Sequence, residues 1–138
     1  MQYIYDDGGR SAAGFKGAAG DCVTRAIAIA AHLSYQSVYD GLKAFPESRH
    51  RGKSSPRTGV RKSTVKAFLR SLGWHWTPTM GIGTGCRVHL RDGELPMGRL
   101  IVSVSRHEVA VIDGVIHDTY DPSRDETRCV YGYWQAAR

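Results

Sequence analysis

The sequence predicts an α+β fold, with helices from its N-terminal half packed on an antiparallel sheet from its C-terminal half. Three observations carry this. Apolar residues recur at helical spacing only before Gly73. Runs rich in β-branched and aromatic residues, each of strand length, begin at Trp74. Asp113-Gly114 stands between two apolar runs, a strong short-range sign of a two-residue hairpin. Helices first and strands later is the order of an α+β domain. The 138 residues fit a single domain over 1–138, long enough to bury a core without disulfide or metal staples.

A short strand is expected around Tyr3–Tyr5, followed by a Gly- and Ala-rich loop up to residue 20. Asp21 is placed to N-cap a helix from Cys22 to about Leu33. Val23, Ala26, Ile27 and Ala30 give it one apolar face. Ser34 caps a second helix, about Tyr35–Ala44, with Val38 and Leu42 inward, and Pro46 ends it. Residues 46–60, rich in Pro, Ser and Arg, read as a mobile loop. A third helix runs from about Arg61 to Leu72, its stripe made by Val65, Phe68, Leu69 and Leu72, with Gly73 as the C′ residue. Strands are expected at Trp74–Trp76, Leu100–Ser105, Glu108–Ile112, Val115–Thr119 and Val130–Trp134. Residues 81–86, GIGTGC, do not match a dinucleotide-binding glycine pattern and open no helix.

Composition narrows the function classes. The hydrophobic fraction, 41%, is that of a folded protein. No apolar run approaches the ~20 residues of a membrane-spanning helix. The N-terminus lacks the basic-then-apolar pattern of a secretory signal, so a cytoplasmic protein with no membrane partner is expected. Three cysteines, an odd number, suggest free thiols in a reducing compartment. Neither they nor the six histidines show metal-ligand spacing, so no metal site is expected.

The net charge of +6 is unevenly spread. From Ser48 to Arg70 there are eight Lys or Arg residues and no acid. Arg49, Arg51, Lys53, Arg57, Arg61 and Lys62 are therefore candidate contacts to an anionic partner, either nucleic acid or an acidic protein surface. The plain alternative is a solvated loop and helix face.

A candidate reactive site emerges from geometry. Cys22 falls at a helix start, where unpaired N–H groups and the helix dipole favour a thiolate. If Asp113-Gly114 is a two-residue turn, Ile112 faces Val115, Val111 faces Ile116 and Ala110 faces His117. His107 and Asp118 then share a sheet face as diagonal neighbours, while His117 and Asp121 point away. A histidine oriented by a carboxylate is the base half of a nucleophilic triad. Helix 22–33 is expected to bury its apolar side on that sheet and bring the Cys22 thiol to His107.

The order GDCVTRAI … SRHEVAVIDG … HDTYDPS resembles that of papain-like cysteine peptidases, in particular compact bacterial and phage members. The resemblance covers roughly residues 15–30 and 98–125. It implies a papain-like fold and a Cys-His-Asp hydrolase of peptide, isopeptide or amide bonds, with Cys22, His107 and Asp118 in the catalytic positions and no cofactor. The family usually places a Gln six residues before the Cys to help form the oxyanion hole, and here that position holds Lys16, itself a hydrogen-bond donor. The alternative is a papain-like scaffold without chemistry: a phage accessory protein, such as an anti-CRISPR inhibitor, that meets an anionic host complex or ribonucleoprotein through its basic segment.

Overall fold

The structure is a computed structural model that describes residues 1–16, 20–45 and 60–136. Among these are three helices, α1 (Cys22–Ala31), α2 (Tyr35–Ala44) and α3 (Lys62–Ser71). The strands are β1 (Gln2–Tyr5), β2 (Trp74–Pro78), β3 (Arg99–Val104), β4 (His107–Ile112), β5 (Val115–Asp118) and β6 (Val130–Ala136). They form one sheet in the order β1-β5-β4-β3-β6-β2. No described helix is long and apolar enough to cross a membrane. The expected mobile loop, the stop at Pro46, and Arg49, Arg51, Lys53 and Arg57 lie outside the described residues.

Local chemistry explains most boundaries. The Ser34 side chain accepts from the Ser37 N–H at the start of α2. Gly73, with φ +84°, takes the left-handed conformation that ends α3 cheaply. Asp113 and Gly114 both have positive φ, as a two-residue hairpin turn of this kind requires. The β4–β5 register is the one expected, with Ile112 on Val115, Val111 on Ile116 and Ala110 on His117.

The sheet is mixed rather than wholly antiparallel. β1 pairs parallel to β5, Gln2 opposite Val115 and Tyr5 opposite Asp118. The helices lie in sequence between these two strands, and such a long crossover permits a parallel pairing that a hairpin forbids.

Each face of the sheet has its own core. On one, Ile27, Ala30, Val38, Leu42, Val65 and Leu69 of the helices pack on Ile101, Ala110, Trp74 and Trp134. On the other, Leu100, Val102, Val109, Val111, Ile116 and Val130 pack with Leu90, Val88, Leu95, Met1 and Tyr3. Burial on both faces explains why three consecutive residues of β3, Leu100, Ile101 and Val102, are apolar. Cys86 and Cys129 are joined by a disulfide, their Cα atoms 5.8 Å apart, which corrects the expectation of three free thiols. It fastens the covering segment to the chain entering β6, and only Cys22 remains free.

Arg99 joins sheet to helix. Its Nε and a terminal nitrogen donate to the carbonyls of Ala30 (2.7 Å) and Ile29 (2.8 Å), both in the last turn of α1. These are acceptors the helix itself leaves without partners, at the negative end of its dipole. We predict that Arg99→Met lowers stability by about 2 kcal/mol, because charge-assisted bonds are lost and the carbonyls are left half-buried. Urea unfolding of the two proteins side by side checks this, and an unchanged midpoint would refute it.

Candidate active site

The start of α1 is fixed by a buried carboxylate. Asp21 occupies the N-cap position, but its side chain makes no capping bond. It pairs instead with Arg10 (3.0 Å) and Arg25 (3.0 Å) and accepts from the Tyr35 hydroxyl (2.6 Å). The expected cap is thus replaced by a tertiary hub. Burial and the bond to Asp21 push the Tyr35 hydroxyl above its ordinary pKa, so it stays a donor. Arg25 reaches further, with its other terminal nitrogen 3.6 Å from Asp118 Oδ1. One guanidinium therefore ties the first turn of α1 to the end of β5.

Asp118 Oδ2 lies 2.6 Å from His107 Nε2, and Oδ1 accepts from the Thr119 N–H at 2.7 Å. Both His107 and Asp118 are buried. The Cys22 side chain is the imidazole's other polar neighbour, and the two line one cleft. With Nε2 engaged by Asp118, Nδ1 is the nitrogen left for the thiol. Burial by itself would push the imidazole pKa down, but the bonds to Asp118 and Cys22 outweigh it and raise the ring to about 9. The ring therefore carries its proton at neutral pH.

The route to this arrangement differs from the expected one. α1 packs on the sheet face of Ile101 and Ala110, whereas Val109, Val111 and Ile116, an even number of residues along the strands from His107 or Asp118 and on their face, belong to the second core. Thiol and imidazole meet instead at the sheet's end. His107 is the first residue of β4 and Asp118 the last of β5. The turn before His107 is held by Arg128, a buried cation that donates to the Ser105 carbonyl and, at 3.4 Å, to that of Pro122.

A cleft of about 880 Å³ opens over Cys22 and His107. Its walls include Trp76, Tyr120, Tyr131 and Trp134. The β3–β6 register slips between Ser103 and Val104, leaving Tyr131 as the extra residue, and such a bulge re-aims a side chain at a site's rim. Gly132 is required beside it, since an added Cβ would overlap the Trp76 ring. Of the candidate basic contacts, Lys62 lines the cleft, and Arg61 is the N-cap residue of α3. Lys16 is exposed, its carbonyl accepts from Arg10 at 3.2 Å, and it does not line the cleft. Among the described residues, no group of three or more His, Cys, Asp or Glu is placed to hold a metal ion.

Comparison with family models, with curated proteins and with solved structures finds no significant match to this chain.

Glu108 is a further acid in the cleft, not signalled by the sequence because a strand glutamate is ordinarily solvated. It faces Ser103 across the β3–β4 ladder and accepts from its hydroxyl through Oε1, while Oε2 is buried without a hydrogen-bond partner. Burial raises its carboxyl pKa to about 7, against the opposing pull of Ser103, His107 and Lys62. An acid whose folded pKa is raised binds more protons folded than unfolded. Its contribution to stability is present in full below the ordinary carboxyl pKa of about 4.5 and is lost as pH rises through about 7. Glu108→Gln keeps the Ser103 bond and removes that loss. We predict equal melting temperatures for variant and wild type near pH 4.5. At pH 8 the variant should be more stable, by about 1–3 kcal/mol. Calorimetry at both pH values decides it, and a variant less stable at pH 8 would overturn the assignment.

Proposed function

We propose that the protein is a papain-like cysteine hydrolase that cleaves peptide, isopeptide or amide bonds. The observation that carries this is the 2.6 Å contact between His107 and Asp118, with the free Cys22 at a helix start lining the same cleft as the ring.

In this reading Cys22 Sγ attacks the acyl carbon as a thiolate, its proton held by His107. The oxyanion that forms faces the first N–H groups of α1, which have no acceptor within the helix. His107 gives its proton to the leaving amine as the C–N bond breaks, and a thioester on Cys22 remains. The neutral imidazole then takes a proton from water, whose oxygen attacks the thioester and frees the acid. Asp118 holds the ring orientation throughout and balances its charge. Lys16 is not among the residues that line the cleft, and the scheme does not call on it.

Hydrolysis of a mixed-sequence peptide library, read by mass spectrometry, tests the proposal. Cys22→Ala and His107→Ala should abolish cleavage, and Asp118→Asn should slow it at least about a hundredfold. Because the leaving amine needs the imidazolium proton, the rate should fall as pH rises through about 9. Cleavage that survives Cys22→Ala would sink the hydrolase reading. A cellular phenotype untouched by that substitution would favour the non-catalytic scaffold.

Reactivity gives a second, substrate-free test. Without reductant, iodoacetamide should modify Cys22 at pH 7 about tenfold faster than it modifies glutathione, whose thiol is mostly protonated there. His107→Ala should remove the advantage. Equal rates for protein and glutathione would count against a paired thiol.

A further inference from the structure

The cleft walls and floor differ in how their charges are used. Below, Arg10 and Arg25 are each bound to Asp21. At the mouth, Lys62, Lys66, Arg70 and Arg106 line the cleft, are exposed, and form no salt bridge with a described carboxylate. Lys62, Lys66 and Arg70 follow one another at i, i+4 and i+8 on α3, so they form a row on one helix face. At 1.5 Å per residue their spacing is about 6 Å per step. An extended peptide presents every second side chain to one side at about 6.6 Å. The acids that line the same cleft, Asp21 and Glu108, are fewer than its exposed cations, and Glu108 offsets at most one of them. Asp21 is consumed by its two guanidiniums and Tyr35, and Glu108 is buried against Ser103.

We infer that the cleft takes an extended, acidic polypeptide segment, with carboxylates at alternate positions on the Lys62–Lys66–Arg70 row and the acyl group to be cleaved at Cys22. This rests on the hydrolase reading for the scissile bond, but the charge selectivity stands apart from it. A polypeptide is favoured over a nucleic acid because the group at the cleft floor, a thiol with an imidazole, acts on acyl carbon. The exposed cations act on approach and on residence, and both effects weaken as salt screens them.

The test uses three reagents of equal chemistry on the whole protein without reductant. They are iodoacetamide, an iodoacetylated peptide with Glu at alternate positions, and the same peptide with Lys in place of Glu. Modification of Cys22 is followed by peptide mapping. At low salt, the Glu reagent should react on the order of tenfold faster than the Lys reagent. The ratio should collapse towards one in roughly 0.5 M salt, where screening acts within a few ångströms. The variant Lys62→Ser/Lys66→Ser/Arg70→Ser should lose the ratio at low salt and keep the iodoacetamide rate, with an unchanged circular-dichroism melt. Should that variant fold poorly, the wild-type ratio and its salt response decide alone. A Lys reagent as fast as the Glu reagent overturns the inference. So does stronger protection of Cys22 by a single-stranded oligonucleotide than by the unreactive Glu peptide, which would assign the row to phosphates. A slow iodoacetamide rate alongside a large Glu-to-Lys ratio would instead refute the hydrolase reading and leave the acidic partner standing.

Discussion

The buried pairing of Asp21 with Arg10 and Arg25 holds the rest of the site in place. A carboxylate at 2% exposure is costly unless its charge is met, and here two guanidiniums and the Tyr35 hydroxyl meet it. The consequence is geometric. Arg10 comes from the N-terminal loop, Arg25 from α1 and Tyr35 from α2, so three segments are registered on one oxygen pair. Arg25 then extends the chain of contacts to Asp118, and Asp118 to His107. The thiol at the start of α1 and the imidazole at the start of β4 are thus located by the same connected charges. Removing one member would leave an unpaired charge in the interior, which is why such a network is rigid once complete.

The sheet supports the same end of the molecule. Because both of its faces are covered, β3 and β4 cannot slide without exposing apolar residues to a wrong layer, and their register is strongly specified. Arg128 fixes the turn that delivers His107, and the slip opposite Val104 turns Tyr131 to the cleft. A strand end rather than a strand face is where the imidazole works, because there the alternation that would have kept it from α1 no longer matters.

Sequence reasoning reached the parts governed by local chemistry. Ser34, Gly73 and Asp113-Gly114 act through their own backbones, and their effects were legible. The hairpin register selected His107 over His117 and Asp118 over Asp121, and the structure joins that pair at hydrogen-bond distance. The misreadings involve partners distant in the chain. The mostly exposed residues of β1 carry no alternation to reveal a parallel neighbour more than a hundred residues away. An odd count of cysteines is compatible with one disulfide and one free thiol, and parity could not tell that from three thiols. Asp21 looks like an N-cap because its competing partners, Arg10 and Tyr35, are invisible to a local pattern.

Glu108 shows how the cleft can hold an acid beside a cationic rim without the two neutralising each other. An ionised carboxylate there would draw Lys62 inward and compete with Asp118 for the charge of His107. Burial opposes this by favouring the protonated form, and the pull of His107 and Lys62 works against burial, leaving a carboxyl that changes state near pH 7. In its neutral form it leaves the imidazolium to Asp118 and the rim to an incoming anion. Ionised, it places a negative charge between them. The state of this carboxyl is thus set by its burial on β4 together with the opposing pull of Ser103, His107 and Lys62.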